Sequence, residues 1–200
     1  MTVIGITGPT GAGKTTLLRE VEKLGGGVID CDAVYHELLK RDTALQNRLE
    51  QAFGPLRDET GAIDRKKLGT IVFSAPERLE TLNAIAWEMV AARTEALVEE
   101  YRRQGSALVA IDAIALLESP IKELCQLKIA VLAPQEVRVR RIMAREGISQ
   151  DYAWARVKAQ KPDGYFVENC DHVLVNDCET AEEFAQKAQE FLEPIYTQSL

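Results

Sequence analysis

The 200-residue sequence predicts an α/β fold built on a parallel sheet, and three observations carry that prediction. Short, nearly apolar runs recur along the chain. Amphipathic helical patterns stand between them, and the gaps are long enough for crossover helices. The runs are Thr2–Thr7 (TVIGIT), Gly27–Asp30 (GVID), Ala107–Asp112 (ALVAID), Leu127–Ala133 (LKIAVLA) and His172–Asn176 (HVLVN). Four are almost continuous in apolar residues, as strands covered on both faces are. In Thr15–Leu24, Leu17, Leu18, Val21 and Leu24 share one helical side until Gly25-Gly26-Gly27 stops the pattern. In Glu179–Tyr196, Phe184, Ala188, Phe191, Leu192 and Ile195 do the same. An apolar content of 46% supplies a sizeable core.

The spacing of the runs is uneven. The stretch between the second and third is far longer than one crossover helix needs. It holds helical patterns over Ala33–Lys40 and Thr43–Phe53, a polar turn (GPLRDETGAID), and a long pattern from Pro76 to Arg103. Pro76 suits a first helical turn, and Leu79, Leu82, Ala86, Met89, Val90 and Leu97 recur at helical spacing. This reads as a helical insertion beside the sheet. A second excursion runs from Pro134 to Asp171.

A formal net charge of −7 disfavours nucleic acid and anionic membrane surfaces as partners. No apolar run reaches the length of a membrane span, and the start MTVIGITG lacks the pattern of a signal peptide, so a cytoplasmic location is expected. Cys31, Cys125, Cys170 and Cys178 form no C-x-x-C pair, which fits reduced thiols. With only His36 and His172 beside them, a zinc site is not expected.

Gly8-Pro9-Thr10-Gly11-Ala12-Gly13-Lys14-Thr15 satisfies G-x-x-x-x-G-K-[ST] between an apolar strand and an amphipathic helix. Glycines at Gly8, Gly11 and Gly13 let backbone N–H groups converge on an anion. The helix start adds its positive end. Lys14 is placed to reach the β- and γ-phosphates and Thr15 to ligate Mg²⁺, with Ala12 and Thr16 completing the nucleotide contacts. An ordinary glycine-rich turn would not explain Lys-Thr at this offset. The fold expected is therefore a P-loop NTPase core, a parallel five-stranded sheet flanked by helices. ATP and Mg²⁺ are the expected cofactors.

The second run ends in Asp30-Cys31-Asp32. In a parallel sheet, the carboxyl end of a strand beside the P-loop strand faces the ligand crevice. Asp32 could take the proton from an acceptor hydroxyl, could N-cap a helix starting at Ala33, or could do both. LVAID has the form of a Walker B strand, making Asp112 a second candidate for Mg²⁺ or its waters. From Pro134 to Lys161 there are seven Lys/Arg against three Asp/Glu, with Arg138, Arg141 and Arg145 on one helical face. A solvated basic face is one reading. A mobile lid whose arginines neutralise a transferring phosphoryl group is the other. No Asn-Lys-x-Asp element speaks for guanine. The residues thus point to a small-molecule kinase whose core comprises 1–35, 105–133 and 171–200, with a helical acceptor-binding insertion over 36–104 and a lid over 134–170.

Over nearly its whole length the sequence resembles the dephospho-CoA kinase family. The resemblance lies in an ordered series: GITGPTGAGKTT, VIDCDAVYHEL, GAIDRKKLGTIVFSAPERLETLNAI, IDAIALLES, RIMAREGIS with ARVKAQ, and CDHVLVN. It implies transfer of the γ-phosphate of ATP to the ribose 3′-hydroxyl of dephospho-CoA, the last step of coenzyme A synthesis. It makes Asp32 the base, with Lys14 and Arg141 as its partners in catalysis. Arg145 matches a second lid arginine, and Asn176 falls near the adenine. Arg65, Trp87 and Glu118 fall where the acceptor binds, with Asp32. The chain departs from the family where Trp87-Glu88 replace His-Pro, where Ile114-Ala115-Leu116 replace Pro-Leu-Leu, and where Phe166 replaces a basic residue. Trp87 could stack on an adenine or pack as helix core. Two other functions stay open at this point. One is a kinase of the same build for another hydroxylated metabolite or nucleoside; the other is an ATP-binding regulatory protein without catalysis. The oligomeric state is not legible.

Overall fold

The computed structural model describes residues 1–199. Five strands form one sheet: β1 (Thr2–Thr7), β2 (Gly27–Asp30), β3 (Leu108–Asp112), β4 (Leu127–Leu132) and β5 (His172–Val175), in the order β2-β3-β1-β4-β5. β1 lies in the middle, parallel to β3 (Thr2↔Leu108 through Ile6↔Asp112) and to β4 (Ile4↔Leu127 through Thr7↔Ala130). β4 is parallel to β5. The three central runs, β1, β3 and β4, are strands because both faces are covered. Ile4, Ile6, Ala110, Ile129 and Val131 are completely or almost completely buried with Leu17 and Val21 of α1 (Lys14–Lys23), and with Phe184, Ala188 and Leu192 of α9 (Ala181–Ser199).

Two compact units divide the chain, Met1–Ile29 with Val98–Leu200, and Asp30–Leu97. The second holds α2 (Cys31–Arg41), α3 (Thr43–Phe53), α4 (Arg65–Val72) and most of α5 (Pro76–Arg103). Its buried side chains include Leu45, Leu49, Leu56, Ile63, Leu68, Val72 and Val90. The polar turn is closed by an antiparallel bridge between Arg57 and Ile63. Inside it, the Asp58 carboxylate accepts from the N–H groups of Thr60 and Ala62. α4 has no counterpart among the sequence expectations. It is short, it opens on three cations, and Gly69 interrupts it, so its pattern is weak. What starts it is Asp64, whose carboxylate accepts from Lys67 N at 2.9 Å.

The start of α2 also differs from expectation. The helix begins at Cys31, and its cap is Asp30, which accepts from the N–H groups of Asp32 (2.9 Å) and Ala33 (3.0 Å). Strand β2 runs straight into the helix, so the first aspartate of Asp-Cys-Asp does the capping.

The second excursion contains three helices, α6 (Gln135–Glu146), α7 (Gln150–Lys158) and α8 (Asp163–Asn169). The third carries Phe166, which is 5% exposed and packs with Leu117, Ala130, Leu132, Tyr165, Cys170 and Val173. An apolar residue where the family has a basic one is therefore a core residue that anchors α8 to the sheet. Phe166→Ala is expected to destabilise the protein by about 3 kcal/mol through lost burial and a residual cavity, read as a lowered urea midpoint. Among the described residues, no helix is long and apolar enough to cross a membrane.

Candidate active site

The Gly8–Thr15 turn follows β1 at the carboxyl edge of the sheet. Its glycines are required by backbone conformation. Gly8, Gly11 and Gly13 have φ of 133°, 83° and 113°, positive values that L-residues with a Cβ rarely adopt. A Cβ at Gly8 would stand 2.2 Å from the Val131 carbonyl oxygen, and one at Gly13 would stand 2.4 Å from Asn176 Nδ2.

A turn that grips anions points N–H groups inward, so its carbonyls need other donors. Each carbonyl from Gly8 to Gly13 has one. Gly8 accepts from Lys14 Nζ (2.8 Å), Pro9 from Ala12 N (3.3 Å), and Thr10 from Arg138 Nε (3.1 Å). Gly11 and Ala12 accept from Arg141 at 3.3 Å each, Ala12 also from Asn176 Nδ2 (2.8 Å), and Gly13 from Thr16 N (2.9 Å). Because the peptide is planar and trans, a carbonyl held outward turns the next N–H the other way. This orients Gly11 N and Gly13 N toward the concave side, where the first turn of α1 presents its own donors.

Arg141 and Asn176 meet at the turn itself. Arg141 also donates to Asn176 Oδ1 at 3.1 Å, and Asn176 is only 3% exposed. Both serve the carbonyl side of the turn. Burial pulls the pKa of Arg141 down, yet a guanidinium stays charged at neutral pH. Arg145 is exposed and pairs with Glu146 at 2.6 Å, and Arg156 pairs with the same carboxylate.

Two oxygen donors stand at the same sheet edge. Thr15 is exposed in the first turn of α1, and Asp112 ends β3 in register with Ile6 of β1. A hydroxyl and a carboxylate are hard ligands of the kind Mg²⁺ takes alongside phosphate oxygens and water. Among the described residues, no group of three or more His, Cys, Asp or Glu could hold a metal. The loop after β3 is tied to β1 by Thr7 Oγ1, which donates to Ile114 O at 3.4 Å. Ile114 itself is 63% exposed at this edge. Farther along, Glu118 accepts from Tyr165 Oη at 3.0 Å, and Lys161 Nζ lies 4.8 Å from the Tyr165 ring centre. Burial, helped by that carboxylate, raises the Tyr165 pKa. Thiol chemistry is disfavoured at Cys170, where burial pushes the pKa up to about 11.

The remaining expected residues lie in the Asp30–Leu97 unit. Asp32 is exposed in the first turn of α2, and the capping role falls to Asp30. Arg65 is the exposed first residue of α4, and its charge draws the pKa of Tyr35 down against the larger upward effect of burial. Trp87 is half-buried on α5. Its neighbour Glu88 is bound to Arg48 of α3 at 2.7 Å, which holds its pKa below the ordinary carboxylate value. Sequence reasoning gave Arg138 only a share in the basic lid face and gave Gln160 no site role. Their partner Thr10 is more than a hundred positions away, and no local pattern announces such a contact.

The dephospho-CoA kinase (CoaE) family model matches residues 2–182. A dephospho-CoA kinase of Dehalococcoides mccartyi is 36% identical over 179 residues, covering 89% of this chain and 90% of that protein. The crystal structure of TT1252 from Thermus thermophilus is similar at a TM-score of 0.78 and 32% identity, covering 97% of each chain. Dephospho-CoA kinase from Campylobacter jejuni shares the fold at a TM-score of 0.72 and 22% identity, covering 99% of this chain and 98% of that one. A family match along nearly the whole chain, over a glycine turn of this build, leads to one conclusion: this chain belongs to the dephospho-CoA kinase family.

Proposed function

We propose that the chain transfers the γ-phosphoryl group of ATP to the ribose 3′-hydroxyl of dephospho-CoA, yielding coenzyme A and ADP. The observation that carries the reading is the cradle, in which donors from Arg138, Arg141 and Asn176 on the Thr10 and Ala12 carbonyls turn the N–H groups of Gly11 and Gly13 the other way. In the reaction the 3′-oxygen bonds to the γ-phosphorus as the bond from that phosphorus to the bridging oxygen breaks. Asp32 takes the hydroxyl proton onto its carboxylate. Lys14 and the N–H groups of the turn stabilise charge on the β- and γ-phosphate oxygens. Thr15 and Asp112 would hold Mg²⁺, which would supply neutralisation of phosphate charge.

Arg145 is the lid arginine with the exposure to reach a phosphate, whereas Arg141 fixes the turn. The acceptor falls to Asp32, Arg65, Trp87 and Glu118. The lid of 134–170 is narrower in this reading than the sequence suggested. Phe166 and the α6 arginines anchor its two ends, leaving the Arg145–Lys158 stretch as the part that closes. Among the described residues the four cysteines form no disulfide, which suits a reducing cytoplasm, where we place the enzyme.

Incubation with Mg-ATP and a panel of hydroxylated acceptors, followed by mass spectrometry, tests the assignment. Dephospho-CoA is expected to gain one phosphate at the ribose 3′ position. Phosphorylation of a different panel member in its place would overturn the choice of acceptor.

A further inference from the structure

We infer that Arg138 and Gln160 form a positioning clamp on Thr10 that sets the shape of the phosphate cradle. This rests on the reading of that turn as the binding site for the phosphates of ATP. The clamp seizes Thr10 on both sides. Arg138 Nε donates to the Thr10 carbonyl at 3.1 Å, and the Thr10 N–H donates to Gln160 Oε1 at 3.1 Å. The two halves are joined, because an Arg138 terminal nitrogen also donates to Gln160 Oε1. Both partners of that oxygen can only donate, so the orientation of the amide is fixed by chemistry.

Thr10 thereby loses the freedom of both adjoining peptides. Holding its carbonyl outward turns Gly11 N inward, and holding its N–H outward removes that group from the anion side. Arg138 is suited to such a task. It is 2% exposed, with its guanidinium spread over Thr10, Gln160 and the carboxylate of Asp163 at 4.0 Å. A buried charge is tolerable only with partners on all sides, so displacing any one of them is costly. Gly11 shows how close the approach is, since a Cβ there would lie 3.0 Å from the Arg138 carbonyl oxygen. Gln160 sits between α7 and α8, and Asp163 opens α8. The clamp therefore joins the Pro134–Asp171 excursion directly to the turn that holds ATP, and nucleotide affinity should register the state of that linkage.

The test compares Gln160→Leu, Gln160→Glu, Arg138→Met and the Arg138→Met/Gln160→Leu double variant in the full chain. Readouts are Mg-ATP affinity by calorimetry, KM for each substrate, and melting temperature. Gln160→Leu and Arg138→Met are each expected to weaken ATP binding about tenfold, as preorganisation by one charge-assisted hydrogen bond is lost. KM for the acceptor should stay within about twofold, and the double variant should be no worse than the weaker single, since both remove one linkage. Gln160→Glu keeps the acceptor oxygens and should bind ATP nearly as the wild type does. If ATP affinity holds while only the melting temperature falls, or if the two losses multiply, the clamp is merely structural and the inference is wrong. Should Arg138→Met fail to fold, the Leu and Glu variants at Gln160 decide by themselves. A wild type that binds ATP but leaves dephospho-CoA unchanged sinks the proposed acceptor, and the affinity comparison still judges the clamp. A wild type that does not bind ATP overturns the clamp as well.

Discussion

Changing Asp32 to Asn is expected to lower turnover about a hundredfold or more while ATP still binds, the range for losing a general base. The amide matches the carboxylate in size but cannot take the proton of the acceptor hydroxyl. Local structure makes the experiment clean. Asp30 caps α2 through bonds to Asp32 N and Ala33 N, and both bonds use backbone groups of the neighbours. Asp32 is exposed, so its replacement should alter stability by no more than about 0.5 kcal/mol. Turnover of dephospho-CoA under saturating Mg-ATP gives the first quantity, calorimetry with ATP the second, and thermal unfolding the third. Turnover within a few-fold of the wild type would remove Asp32 from the mechanism.

For Lys14→Met the expected loss is larger, about 10²–10³-fold in kcat, as when one preorganised donor is taken from an anion site. Methionine keeps the length and apolar stem of lysine and deletes the ammonium. Lys14 Nζ stands over the turn, donating to Gly8 O at 2.8 Å, and the β- and γ-phosphates supply the oxygens it exchanges for that carbonyl. ATP affinity should fall together with turnover, in contrast to Asp32→Asn. Nucleotide binding and turnover both unchanged in Lys14→Met would mean that this ammonium does not meet phosphate.

The two substitutions also mark how much the sequence revealed. The cradle was legible because its chemistry is local: three glycines, a lysine and a threonine at fixed offsets between a strand and a helix. Strands β1 and β2 and helix α3 fall where apolar runs and helical periodicity put them, down to their end residues. Helix α5 was legible for the same reason, with Pro76 at its start. Asp-Cys-Asp offers two aspartates that could cap α2, and only the direct passage from strand to helix chooses Asp30. Helix α4 escaped because its start depends on one carboxylate, Asp64, more than on any apolar stripe. Arg138, Arg141, Gln160 and Asn176 were illegible as one assembly. They meet only after the sheet brings the ends of β4 and β5 beside that of β1. Phe166 shows the converse, since its departure from the family pattern becomes intelligible once its packing against Leu117 and Leu132 is seen.

The central place of β1 has a further consequence. This strand is bonded along both edges, and Val3, Ile4, Ile6 and Thr7 are buried. A segment so enclosed cannot fray by itself; it opens only when the whole domain comes apart. The turn it feeds should therefore keep its working shape for as long as the native state lives. Any nucleotide it grips will lengthen that life by mass action, so in this molecule catalytic readiness and endurance against heat or proteases share one origin.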